Sequence, residues 1–254
     1  MRNIRITRSV IPNLFTSLNM FSGFVSVIYS SEQDYIKAAM FIIIGAVFDA
    51  LDGIMARLTH SSSEFGVELD SLSDLVSFGV APAFLIYHSY LNHLGAWGIV
   101  ISSLLMVFGG LRLARFNVQL VGFDKSYFTG LPIPSSAITI AAFVLVYFDQ
   151  HSLSYMAPFD GYIIPLVFLL SFLMVSRIRY ETLPKFSLKG IKERPYSFGF
   201  VLLSAILIVA TGGKALFYLF ILMILIGIFK HMFSLAFKSA KSRKLSPREA
   251  ASKK

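Results

Sequence analysis

The chain has 254 residues, 56% of them hydrophobic, a formal net charge of +9 and no cysteine. A mean hydropathy of +0.70 lies far above that of a soluble domain, which excludes a water-soluble globular enzyme and points to an integral membrane protein. Without cysteine, disulfides and thiolate metal sites are excluded as well.

In chain order, apolar runs close to the ~18–20 residues that cross a hydrocarbon core predict an all-α integral membrane protein. About eight transmembrane helices are expected, at 13–30, 37–58, 69–88, 95–117, 134–149, 161–178, 198–211 and 214–232. The basic start MRNIRITRSV has no small-residue cleavage site, and Asn13, Thr16, Ser17 and Asn19 interrupt the apolar run behind it. It reads as a short interfacial helix rather than a signal peptide. The stretches 118–133 and 179–197 mix Gly and Pro with charges and read as loops. The tail HMFSLAFKSAKSRKLSPREAASKK reads as a solvated, poorly ordered end.

Charge distribution sets the expected orientation. With the N-terminus in the cytoplasm, 21 of the 23 Lys and Arg fall on cytoplasmic segments, leaving Lys37 and Lys214 outside. The positive-inside bias therefore predicts an even number of spans with both termini cytoplasmic, in the cell (cytoplasmic) membrane. The net charge is then a topology signal with attraction to anionic headgroups. A lipid bilayer is the expected partner, and no nucleic acid is.

Of 14 acidic residues, six fall between positions 49 and 74. Asp49 and Asp52 are spaced i, i+3, with Gly53, Ala56 and Arg57 following; Gly66, Asp70 and Asp74 are spaced i, i+4, i+8. Each set lies on one helix face. The short link THSSSEFGV makes the two helices antiparallel neighbours, so the four carboxylates are expected to converge near the cytoplasmic ends. A charge near a span's centre costs roughly 2.5–3.5 kcal/mol on insertion scales, so four acids on converging faces are poorly explained as polar helix ends. Without His or Cys they form a hard, oxygen-rich site suited to Mg²⁺ or Mn²⁺, with Ca²⁺ also accommodated. Two such ions suit phosphoryl-type transfer. The glycines permit close approach of a ligand, and Arg57 can bind a phosphate oxygen. A cation pathway is the competing reading, but the acids occupy two spans near one face, with no comparable polar relay beyond them.

The full pattern D-x2-D-G-x2-A-R-x8-G-x3-D-x3-D, met by Asp49, Asp52, Gly53, Ala56, Arg57, Gly66, Asp70 and Asp74, resembles the signature of the CDP-alcohol phosphatidyltransferases. The resemblance implies Asp49, Asp52 and Asp70 as ligands of two divalent ions, with Asp74 as ligand and general base toward the acceptor hydroxyl. It implies that Gly53, Ala56 and Gly66 leave room for the cytidine nucleotide of CDP-diacylglycerol, with Arg57 near its phosphates. It also implies a six-helix membrane core, here 1–180, usually in a homodimer. Outside that core fall a cytoplasmic loop at 181–197, two additional helices at 198–232 and a basic tail at 233–254.

PNLFTSLNMFSG (12–23), GLRLARFN (110–117) and FTGLPIPSSA (128–137) are similar to the bacterial phosphatidylserine synthase branch of that family. This implies transfer of the phosphatidyl group to L-serine with release of CMP; glycerol 3-phosphate, inositol and choline are the alternative acceptors. Asn13, Thr16 and Asn19 are nucleotide or headgroup contacts on this reading, and ordinary polar residues at a membrane interface on the plainer one. Arg112 and Arg115 either anchor a helix end to headgroups or neutralise a phosphate or serine's carboxylate.

Overall fold

Backbone groups inside a bilayer must satisfy one another, so apolar runs become helices. The computed structural model describes residues 10–59, 63–120, 128–180, 204, 207, 208 and 210–251. Helices α1 (Val10–Ser31) and α2 (Tyr35–Thr59) form an antiparallel pair packed along their length. A tight turn joins them, with Gln33 at φ 63 and Asp34 Oδ1 accepting the Lys37 N–H at 3.1 Å. Helix α3 (Glu64–Asp74) runs through a π turn (Leu75–Val80) into α4 (Ala81–Ser89), and α5 (Ala96–Leu120) follows a short 3-10 turn. Helices α6 (Ile133–Tyr147) and α7 (Ile163–Val175) precede a last helix, α8 (Ala215–Ala251).

Five of these segments are long and apolar enough to cross a membrane: Val10–Ser31, Tyr35–Thr59, Glu64–Ser89, Ala96–Val118 and Ala215–Phe233. The expected spans at 134–149 and 161–178 correspond to the shorter apolar helices α6 and α7. The expected span at 198–211 lies largely outside the described residues, as do the N-terminal basic segment and the loop at 181–197. The tail departs from expectation, because α8 continues unbroken to Ala251. Its Ala, Leu, Lys and Arg are good helix formers, and that preference carries the helix beyond the apolar stretch.

Helix α1 turns its polar face inward. Thr16, Asn19, Ser22, Gly23, Ser26 and Ser30 are buried, whereas Leu14, Phe21, Phe24 and Ile28 are exposed. Lipid is as apolar as leucine, so helices here associate through small residues and hydrogen bonds. Two such bonds fasten α1 to the α3–π segment: Ser73 Oγ donates to the Thr16 carbonyl at 2.9 Å and Ser77 Oγ to the Asn19 carbonyl at 2.7 Å. Gly23 permits the approach, since a Cβ there would lie 2.6 Å from Ser77 Cα. The π turn precedes Pro82, which has no N–H for the Phe78 carbonyl and crowds it; the Ala81 N–H bonds instead to the Val76 carbonyl.

The two expected loops also meet. Strand β1 (Phe128–Thr129) pairs antiparallel with the strand Arg179–Tyr180, while β2 (Phe148–Asp149) and β3 (Ser154–Tyr155) form a hairpin at the other end; Arg179–Tyr180 is β4. Gly130, at φ 89, donates its N–H to the Ile178 carbonyl at 2.8 Å, and a Cβ there would run into the Met174 carbonyl. Helix α6 is buried on nearly every side, against α2, α7 and α8. Where α8 passes β4, Gly227 leaves room for the Tyr180 ring that any Cβ would strike.

Gly23→Ala should destabilise the chain by about 1–3 kcal/mol, as overpacking does, and lower the thermal unfolding midpoint in detergent. Gly161→Ala, where a Cβ would meet nothing within 4 Å, is the control. Equal midpoints for the two variants would mean that the α1–π contact has slack.

Candidate active site

The site forms where α2 ends, α3 begins and the first half of α1 crosses both. Ser63 starts α3 by accepting the Gly66 N–H on its Oγ at 3.0 Å, with Glu64 in the first turn. The i, i+4, i+8 spacing of Gly66, Asp70 and Asp74 then aims both carboxylates at α2. One carboxylate oxygen each from Asp49, Asp70 and Asp74 lie within 4.8 Å of one another. Asp74 is buried, and Asp49 and Asp70 are half-buried.

Asp52 stands one turn beyond Asp49, buried and within electrostatic reach of Asp70. Thr16 Oγ1 lies 2.9 Å from Asp52 Oδ2 and 3.1 Å from the Pro12 carbonyl, its single proton shared between them. Three of the four signature carboxylates thus converge directly, and the fourth is held beside them by α1.

Neutral hydrogen bonds do not offset this much negative charge gathered below the surface. Asp70 Oδ1 is buried and accepts no hydrogen bond. An orphaned anionic oxygen among converging carboxylates, with oxygen donors throughout, fits a hard divalent cation. Asp49, Asp70 and Asp74 can hold one, with Asp52 adjacent.

The other expected residues fall around this centre. Arg57 is exposed and lies over Gly53, whose Cβ would be 3.6 Å from Arg57 Nη1. Ala56 is half-buried on the same part of α2. Asn13 faces Gly66 across the α1–α3 crossing, its Oδ1 3.4 Å from where a Gly66 Cβ would sit. The two arginines of α5 part company. Arg112 is buried, 6% exposed, and within electrostatic reach of Asp74. Arg115 reaches the end of α7, donating from Nη1 to the Val175 carbonyl at 3.0 Å and from Nη2 to the Ser176 carbonyl at 3.5 Å. That is a helix C-terminal cap by a cation.

Several contributors escape the aspartate signature. Asn19 Nδ2 lies 3.4 Å from Asp74 Oδ1, and Asn117 Nδ2 donates to Ser71 Oγ at 2.9 Å, tying α5 to α3 beside Asp70. The available signal was the spacing on α1. Asn13, Thr16 and Asn19 are each three apart and meet Gly66, Asp52 and Asp74 in turn.

Comparison with known proteins bears on this centre. The family described as CDP-alcohol phosphatidyltransferase matches residues 9–175, which include every residue placed around the cluster. A CDP-diacylglycerol–serine O-phosphatidyltransferase of Helicobacter pylori is 38% identical over 174 residues, covering 68% of this chain and 73% of the relative. An archaetidylserine synthase of Methanothermobacter thermautotrophicus is 38% identical over 189 residues, covering 71% and 73%. A CDP-diacylglycerol–serine O-phosphatidyltransferase of Saccharomyces cerevisiae is 39% identical over 150 residues, covering 54% and 52%.

Asp70→Asn keeps the size of the side chain and halves its acceptor capacity. Direct Mn²⁺ binding, followed by the EPR signal of the free ion in detergent solution, should weaken by at least about tenfold, since a ligand matters no less than the groups hydrogen-bonded behind it, whose loss costs roughly 10–100-fold. Parental affinity would remove Asp70 from the cation site.

Proposed function

The chain belongs to the CDP-alcohol phosphatidyltransferase family, and we propose that it is a phosphatidylserine synthase, transferring the phosphatidyl group of CDP-diacylglycerol to L-serine. The observation that carries this reading is the convergence of Asp49, Asp70 and Asp74 beside Asp52. Two divalent ions, Mg²⁺ or Mn²⁺, would be held by these four aspartates and would supply charge neutralisation for the phosphate oxygens and the departing CMP. The oxygen-only donor set also accepts Ca²⁺.

The residues of the chain divide the remaining work. Gly53, Ala56 and Gly66 leave room for the cytidine end, with Asn13 and Thr16 lining it from α1 and the exposed Arg57 available to a phosphate oxygen. Asp74 takes the proton of the serine hydroxyl as that oxygen bonds to the phosphorus carrying diacylglycerol. The bond from this phosphorus to the CMP oxygen breaks, and CMP leaves with the electron pair. Proton transfer in step with bond formation spares the cost of a free alkoxide.

Serine as acceptor is supported by the relatives' names, each of which carries serine. The arginines support it too. Arg112 is the arginine of α5 that is buried within electrostatic reach of Asp74, and a guanidinium there suits the serine carboxylate. Glycerol 3-phosphate is the reading in second place, because Arg112 also attracts a phosphate; inositol and choline lack the anion it would bind. The proposal includes a homodimer in the cytoplasmic membrane, with the site on the cytoplasmic face where the Lys and Arg gather.

Purified protein in detergent, given CDP-diacylglycerol and Mn²⁺ or Mg²⁺, should release CMP with serine and not with glycerol 3-phosphate, inositol or choline. Asp74→Asn should lower turnover by roughly 10²–10⁴-fold, the usual share of general acid–base catalysis. Release with another alcohol alone would replace serine as acceptor, and near-parental turnover in Asp74→Asn would remove Asp74 as base.

A further inference from the structure

Asn19 lies outside the aspartate signature, yet its side chain is wholly buried between α2 and the segment that carries Asp74. Its Nδ2 is 3.4 Å from Asp74 Oδ1, at the long end of a hydrogen bond. Its Oδ1 has no hydrogen-bond partner. On that side stands Gly45, where a Cβ would come within 3.0 Å of Oδ1. The carboxamide is therefore wedged, its amino end toward a carboxylate and its oxygen against bare backbone.

Packing alone does not account for this choice. A leucine has the same branched outline, though it is bulkier, and would leave no buried oxygen unsatisfied, so an asparagine here carries a cost in stability. What leucine cannot do is donate. An ionised carboxylate is acceptor-only, and an uncharged amide supplies a donor without adding a cation that would compete with a metal ion. The backbone around the pair is fixed as well. Ser77 Oγ binds the Asn19 carbonyl at 2.7 Å and Ser73 Oγ binds the Thr16 carbonyl at 2.9 Å, so both flanks of Asp74 are pinned to the turns of α1 that present Asn19.

We propose that Asn19 is a positioning residue for Asp74: its amide holds one carboxylate oxygen and so fixes the rotation of that carboxylate relative to Asp49 and Asp70. This rests on the assignment of Asp74 as ligand and base made above. Asn19 acts through Asp74 and touches no substrate. Its loss therefore acts on turnover and cation affinity and spares the affinity for the acceptor.

The experiment compares Asn19→Leu, Asn19→Ala and Asn19→Val with the parent and with Asp74→Asn, measuring kcat, the KM for serine and direct Mn²⁺ binding by EPR. All three Asn19 variants should lose about 10–100-fold in kcat or Mn²⁺ affinity, as removal of a partner behind a metal ligand does, with the serine KM within twofold of parental. Parental kcat and Mn²⁺ affinity in Asn19→Leu, with losses in Asn19→Ala, would show a space-filling role and overturn the proposal. Should the leucine variant not fold, Asn19→Val decides, because it is smaller, uncharged and has no donor; parental values there overturn the proposal equally. An inactive Asp74→Asn beside a fully active Asn19→Leu removes Asn19 alone, whereas an active Asp74→Asn removes the assignment on which it rests.

Discussion

Four carboxylates held together at the end of a membrane helix pair repel one another, and partial burial weakens the screening that bulk water would give them. That constraint organises the half of the molecule built from α1 to α5. Asp49, Asp70 and Asp74 each bring an oxygen into one 4.8 Å cluster, a geometry that only a cation or protonation makes comfortable. Everything packed around it either donates a hydrogen bond or stands back. Thr16 and Asn19 donate to Asp52 and Asp74, Gly53 and Gly66 leave space, and Arg112 brings positive charge near Asp74.

Helix α1 translates that requirement into a helix polarity opposite to that of a soluble protein. Its large apolar residues face outward, and its hydroxyls, amides and glycine face the neighbouring helices. In lipid, such contacts hold helices by close approach and hydrogen bonding. The same stripe therefore does two jobs. Its N-terminal half, from Asn13 to Asn19, orients the acidic site, and its C-terminal half, from Ser22 to Ser30, packs the helix pair.

The acidic centre was legible in the sequence because carboxylates in membrane spans are costly and their spacing repeats the helical turn. Its neighbours were less so. In the sequence Thr16 and Asn19 read either as nucleotide or headgroup contacts or as ordinary residues near a membrane interface, and their contacts with Asp52 and Asp74 appear only when α1 is laid across α2 and α3. The π turn after Asp74 left one trace, Pro82, whose missing N–H is compatible with a kink, a break or a widened turn. Arg112 and Arg115 looked equivalent at i, i+3, yet one faces Asp74 and the other closes α7. That difference depends on where the end of α7 lies, which local spacing does not encode. The pairing of residues 128–129 with 179–180 is likewise long-range, and neither segment carries a strand pattern of its own.

Helix α8 lies beyond the segment shared with the family, and its seat is prepared by Gly227 against the Tyr180 ring and by Ile224 in the buried core. The surface it covers on α6 is apolar, so lipid can occupy that place while the helix is still being synthesised. Chains assemble from the N-terminus as they emerge, and α1 to α5, which carry the acidic centre, precede α8 by about a hundred residues. The order of synthesis thus lets the site take shape inside a lipid-wrapped intermediate. The last helix then packs on α6 and β4, and Gly227 fixes where it meets the Tyr180 ring.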